Sequence, residues 1–101
     1  MERLDRMLTS FPFTARVSVP EHVLVRDLGA ESVVLSLETE QYFGLDEVGT
    51  RMWALLVGAN SIQSAFDSLL AEYDVDPGRL RADVERLIGE LSERGLLVVN
   101  E

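Results

Sequence analysis

The stretch "ETEQYFGLDEVGTRMWALL", residues 38–56, decides the fold because two kinds of secondary structure meet inside it. Tyr42, Phe43 and Leu45 are aromatic and branched residues, which suit the pleated surface of a strand. A few positions later the apolar residues recur at helical spacing. Between the two patterns stands Asp46, a residue type that caps the free N–H groups at the start of a helix. The sequence therefore predicts a strand that runs directly into a helix.

Two more strands are predicted upstream of this one. Residues 22–28, "HVLVRDL", and residues 32–38, "SVVLSLE", both carry apolar and polar residues in partial alternation. In the second of these strands either Val33 or Val34 faces inward. Because the connections are only a few residues long, the two strands and the third at 40–45 are expected to form an antiparallel meander. Such a meander leaves the third strand at an edge of the sheet.

Helices are predicted to fill the rest of the chain. The first covers residues 46–57 and the second residues 61–73, where Asn60 and Gln63 have the spacing of a capping box. The connections that follow these two helices are therefore short.

The third helix has a clear start and a clear end. Asp76 followed by Pro77 places a cap before a first helical position that needs no N–H, and Gly95 is the residue type that ends a helix. The apolar stripe between them consists of Leu80, Val84, Leu87, Ile88 and Leu91. A short final strand is predicted at 96–99. The order of elements predicts an α+β domain, a winged helix-turn-helix with a three-stranded antiparallel sheet followed by three helices.

The first 19 residues allow two interpretations. Leu4, Met7 and Leu8 have the spacing of a short amphipathic helix, which "SFPF" would break because proline lacks an N–H. The alternative is a tail that is frayed or ordered by a partner. We therefore take residues 1–19 as an N-terminal extension, partly disordered in the second interpretation, and residues 20–101 as the domain.

The composition is that of a globular domain. Of 101 residues, 47% are hydrophobic and 27% are charged. No apolar run approaches the roughly 20 residues that span a bilayer, and the first residues lack the layout of a secretory signal. These features favour a cytoplasmic protein without a membrane partner. Cysteine is absent, which excludes disulfides and thiolate metal sites.

The sequence offers little support for catalysis. His22 is the only histidine, and there is no G-x-S-x-G elbow or glycine-rich phosphate loop. A lone histidine with no cysteine beside it makes a poor catalytic or metal centre. We therefore expect no enzyme activity, no cofactor and no metal.

The charge argues against a nucleic-acid partner. The net charge is −9, and every basic residue apart from the histidine is an arginine. A protein that grips phosphate backbones needs a concentrated positive face. The third helix carries Arg79, Arg81, Arg86 and Arg94, but Asp83, Glu85, Glu90 and Glu93 offset them. A DNA-binding winged-helix regulator is nevertheless kept as the alternative function, because the predicted shape suits it.

Four stretches resemble the PqqD-like family, also described as RiPP recognition elements. They are "VPEHVLVRDL", "VVLSLETEQYFGLDEVGTRMWALL", "YDVDP" and "DVERLIGELSERGLLVV", and the resemblance covers roughly residues 17–99. Members of this family are small winged-helix domains that bind the leaders of ribosomally made, post-translationally modified peptides. The wording is most similar to stand-alone proteins of lasso-peptide pathways, which work beside a separate leader peptidase.

The resemblance implies a function and a site. The chain is expected to be a peptide chaperone whose partners are the leader region of a precursor peptide and a leader peptidase or modifying enzyme. In relatives the leader adds as a strand to the third strand, in a groove against the third helix. The residues expected to bind it here are Glu40, Gln41, Tyr42, Phe43, Gly44, Val84, Leu87, Ile88 and Leu91. The residues themselves agree, since an apolar edge without proline invites another strand.

Duplex DNA is expected to bind only weakly and without sequence preference at physiological salt. The balanced third helix and the net charge of −9 leave few phosphate contacts to release counterions. A gel-shift titration with genomic fragments checks this expectation. A sequence-specific shift at nanomolar protein would contradict it.

Overall fold

The computed structural model describes residues 11–101, and the predicted α+β architecture is confirmed within that range. A three-stranded antiparallel sheet is followed by three helices, and the predicted terminal strand is present. The elements are β1 (Arg16–Ser18), β2 (Val23–Leu28), β3 (Glu31–Ser36), β4 (Tyr42–Leu45), α1 (Glu47–Gly58), α2 (Ile62–Glu72), α3 (Pro77–Glu93) and β5 (Val98–Asn100). The helical turn predicted around Met7 and Leu8 lies outside the described residues.

The main sheet has the order β2-β3-β4, so β4 is at an edge as predicted. Val34 is fully buried beneath the helices and is in register with Phe43 of β4. Val33 points to the opposite face, which settles which of the two valines faces inward. We call that opposite face, away from the helices, the outer face of the sheet.

The helix caps follow the sequence at two of three sites. The side chains of Asp46 and Asp76 accept backbone N–H bonds of 2.8 and 3.0 Å at the starts of α1 and α3. At α2 the capping box predicted from Asn60 is wrong. Ser61 is the cap, and its hydroxyl accepts from the N–H of Ser64 at 3.1 Å. The helix begins one residue later than the box required, at Ile62, so Asn60 lies outside the capping position.

Residues 11–19, which the sequence assigned to an extension, are packed against the domain. Phe13, Ala15 and Val17 are buried in the core, and β1 pairs with β5. The carbonyl oxygens of Phe13 and Ala15 accept the N–H bonds of Gln63 and Ile62 at 2.7 and 2.8 Å. Two of the N–H groups that a helix start leaves free are satisfied in this way. The segment therefore completes the core and also provides hydrogen-bond acceptors for the N-terminus of α2.

Polar contacts join the first two helices at the surface. The guanidinium of Arg51 on α1 donates to both carboxylate oxygens of Glu72 on α2. Mainly through this hydrogen bond, the pair lowers the pKa of the Glu72 carboxyl and raises the pKa of the Arg51 guanidinium. Both groups are solvent-accessible, so the pair orients the helices more than it stabilises them.

Replacing Phe13 with alanine is expected to lower the free energy of unfolding by about 3–5 kcal/mol, the usual range for a buried phenylalanine. The ring is 5% exposed, meets the ring of Phe66 edge-on at 5.6 Å, and carries the guanidinium of Arg81 at 3.9 Å. Urea unfolding measures the change. The matched control is Thr14→Ala, at an exposed neighbour, which should cost little. Equal midpoints for the two variants would mean that this segment does not belong to the core.

Candidate functional site

The free edge of β4 is defined by its hydrogen-bond pattern. The N–H of Ser36 on β3 donates to the carbonyl of Gln41 at 2.9 Å, so this pair is hydrogen-bonded. In an antiparallel ladder bonded pairs alternate with non-bonded ones, and the register is continuous from there through β4. Phe43 therefore turns its N–H and C=O toward β3. Tyr42 and Gly44 turn theirs outward, where no strand within residues 11–101 pairs with them. We call these four backbone groups the open edge.

A capped hairpin loop sets where β4 begins. The hydroxyl of Ser36, a residue only 1% exposed, accepts from the N–H groups of Glu38 and Thr39 at 3.2 and 3.1 Å. Glu40 has a φ of 65°, in the left-handed region, and its N–H donates to the Ser36 carbonyl at 3.0 Å. The N–H of Gln41 donates to the hydroxyl of Thr39 at 3.3 Å. The predicted site residues Glu40 and Gln41 thus belong to the loop, and their N–H groups are engaged within it.

The other end of β4 is fixed by α1. Leu45 is buried, and the next residue, Asp46, already caps the helix. Thr50, one turn into α1, shares a hydrogen bond of 2.9 Å with the hydroxyl of Ser32 on β3. The Thr50 hydroxyl also donates to the carbonyl oxygen of Leu45 at 3.4 Å. Strand β4 is therefore held at both ends by side-chain contacts, while no other strand among residues 11–101 pairs with its outer backbone groups.

The two faces of β4 differ in character. Phe43 and Leu45 point toward the helices, where Phe43 is half-buried against the core. Tyr42 and Gly44 lie on the outer face, and the Tyr42 side chain is 70% exposed. This is the alternation that strand geometry requires, and it places the neighbouring aromatic rings on opposite sides of the sheet.

Helix α3 approaches β4 from the inner side. The guanidinium of Arg94, just beyond the end of α3, lies 4.9 Å from the centre of the Phe43 ring. Such a contact is a cation–π interaction, which holds this end of the helix near the strand. A cleft of about 210 Å³ also opens between α3 and the start of α1. We call it the α1–α3 cleft; its walls include Val48, Met52, Leu87, Asp46, Asp83 and Glu90.

The structure places the predicted site residues in separate parts of the molecule. Tyr42, Phe43 and Gly44 are consecutive on β4, and half-buried Leu87 lies in the α1–α3 cleft. The remaining three predicted residues, Val84, Ile88 and Leu91, have 0% exposure and belong to the core. Their side chains are buried in this packing and are not accessible to a peptide.

Sequence reasoning treated Asp83 and Glu90 only as charges that offset the arginines, and did not predict that they line a cleft. Asp83 and Glu90 stand four before and three after Leu87, so both flank it on one side of the helix. That spacing was visible in the sequence and could have identified them. Arg94 was seen only as a charge on the third helix, because its contact with Phe43 joins segments far apart in the chain.

Other kinds of site find no support in residues 11–101. Within that range no group of three or more histidine, cysteine, aspartate or glutamate side chains is placed to hold a metal ion. The imidazole of His22 lies 3.9 Å from the carboxylate of Glu38, beside the hairpin loop. Over the same residues, none of the helices combines the length and the apolar character needed to cross a membrane.

Comparison with known proteins places this geometry in a family. The family model described as "Coenzyme PQQ synthesis protein D (PqqD)" matches residues 31–97. The chain belongs to the PqqD family. The match runs from β3 through α3 and so contains the open edge, the α1–α3 cleft and every predicted site residue.

Individual PqqD relatives support the assignment. PqqA binding proteins of Rhodopseudomonas palustris strains BisB5 and HaA2 are 24% and 25% identical over 83 residues, covering 82% of this chain and 81% of theirs. The structure of TbiB1 in complex with the TbiA(beta) leader peptide has 34% sequence identity and a TM-score of 0.73. That likeness covers 79% of this chain and 93% of TbiB1. This chain and TbiB1 are therefore similar both in sequence and in backbone fold.

Amide hydrogen exchange is expected to distinguish neighbouring residues of β4. The amides of Phe43 and Leu45 bond to β3 and should exchange slowly, whereas those of Tyr42 and Gly44 face solvent and should exchange fast. Two-dimensional NMR after transfer to heavy water measures all four in one sample. Equal protection of Tyr42 and Phe43 would mean that the edge is already covered.

Proposed function

We propose that this chain binds the leader region of a precursor peptide by strand addition and presents it to a leader peptidase or a modifying enzyme. The observation that carries the proposal is the open edge of β4, whose outward backbone groups lie on a strand fixed at both ends. The names of the relatives support it, since they describe a PqqA binding protein and a complex with a leader peptide.

Strand addition assigns a task to each part of the site. The N–H and C=O groups of Tyr42 and Gly44 bond to the peptide backbone and set its register. A peptide residue opposite Phe43 points inward, toward Arg94 and the end of α3. Each added backbone bond contributes only about 0.5–1.5 kcal/mol net, and every peptide has such bonds to offer. Selectivity therefore comes from the side chains that face α3 and the α1–α3 cleft.

Three of the four arginines on and just after α3 favour this function over duplex DNA binding. Arg86 is paired with Asp83 at 3.1 Å, and Arg81 with Glu85 at 3.7 Å. Arg94 lies over the Phe43 ring. Each of these cations has a partner within the chain and would have to leave it to contact a phosphate.

The proposed role is non-catalytic, and the proposed ligand is the leader of a lasso peptide precursor. The open edge orders the leader, while a separate enzyme supplies the chemistry. The resemblance of residues 17–99 to stand-alone proteins of lasso-peptide pathways supports the lasso class.

Replacing Gly44 with proline is expected to weaken leader binding by about tenfold or more, because it removes one outward N–H and alters the edge. Proline is tolerated on edge strands where the N–H faces solvent, so the fold should survive. Gly44→Ala is the matched control, since it keeps the N–H and its Cβ would meet nothing within 4 Å.

The measurement is calorimetric titration with the TbiA(beta) leader peptide, the ligand named for the relative TbiB1, together with amide shifts. Circular dichroism must first show that both variants are folded. We expect shifts at 42–45 and along the cleft side of α3, and few along α2. A folded proline variant that binds as tightly as the alanine variant would exclude strand addition at β4.

A further inference from the structure

Nothing in the structure without a peptide explains why residue 44 is a glycine. Its φ is not in the left-handed region, unlike that of Gly29 and Gly95, so its backbone does not require glycine. A Cβ built at Gly44 would meet nothing within 4 Å, so no neighbour excludes a side chain. Glycine weakens a strand, and inside one it often marks a place where a ligand or another backbone approaches closely. The open edge is the place where such an approach would occur.

The missing side chain leaves a notch on the outer face of the sheet. Gly44 is in register with Val33, which is half-buried, so Val33 forms the floor of the notch. Tyr42 stands beside it on the same face and is 70% exposed. Behind Tyr42 a cross-strand row continues through Leu35 to Leu24. Apolar side chains therefore border the notch on the Tyr42 side, while Arg26 of β2 stands beyond Val33 on the same face. The notch opens at the edge where a peptide would add.

Strand addition places one peptide side chain in this notch. A residue opposite Gly44 in an added strand points to the outer face, as Gly44 does, while its two neighbours point toward α3. A flat ring at that position can lie across the glycine and reach Val33 on the next strand. Covering an edge glycine with a cross-strand aromatic ring is a known means of stabilising sheets, and aromatic pairs stabilise neighbouring strands.

We propose that Gly44 forms a subsite on the outer face for an aromatic side chain of the bound peptide, with Tyr42 as its wall and Val33 as its floor. The inference rests on the proposed function and adds to it a second selective surface. The leader is read on both faces of the added strand, by α3 on the inner face and by this subsite on the outer face.

Selection from a displayed library of short random peptides tests the subsite without a known leader. Parallel selections use the unaltered chain, Gly44→Val and Leu28→Thr. Valine fills the notch and suits a strand, while Leu28 is an exposed outer-face residue on the opposite edge strand. Peptides from the unaltered chain should share an aromatic residue, with ring-to-methyl NOE contacts to Val33. The preference should disappear with Gly44→Val and persist with Leu28→Thr.

Affinities then quantify the subsite. Replacing the shared aromatic residue of a selected peptide with alanine should weaken binding about fivefold to the unaltered chain. The loss should be below about twofold with Gly44→Val. An aromatic preference that is absent, or that survives Gly44→Val unchanged, overturns the subsite. Selected peptides that bind Gly44→Pro as tightly as Gly44→Ala, or no selected peptides at all, overturn the proposed function as well.

Discussion

The structure depends on the junction at which β4 becomes α1 without an intervening loop. Leu45 is buried at the end of the strand, and Asp46 caps the helix in the next position. The Thr50 hydroxyl then ties the first turn of α1 back to Ser32 on β3. A strand that lacks hydrogen bonds on one side would otherwise fray easily. Here the helix anchors the strand, so within residues 11–101 the open edge is unpaired and yet fixed at the junction.

That arrangement carries a risk that the rest of the chain reduces. An exposed apolar edge is a template for pairing with another copy. Strand β4 is only 4 residues long, and the chain carries a net charge of −9, so two copies repel each other as they approach. A short leader segment of low or opposite charge meets less of this repulsion. The acidic composition, which told against nucleic acid, thus also suits an edge reserved for a peptide.

Most features that the sequence predicted are local, and apart from the cap of α2, those that it missed join distant segments. The caps at Asp46 and Asp76 and the end of α3 at Gly95 depend on a few neighbouring residues, so they could be identified directly. The pairing of β1 with β5 joins opposite ends of the described chain, and strands of 3 residues carry too weak a pattern to predict it. The stripe of α3 identified a core face, but periodicity alone could not separate buried Ile88 from Leu87 in the cleft.

The energetics explain why such an edge does not bind every extended peptide. Four outward backbone groups give at most four bonds, or about 2–6 kcal/mol in total. Ordering a matching peptide segment costs about 1–2 kcal/mol per residue, which offsets most or all of that gain. Net binding must therefore come from side chains, and alternation divides them between the α3 side and the outer face. An edge that contributes register but little affinity binds selectively because the backbone contacts alone are too weak.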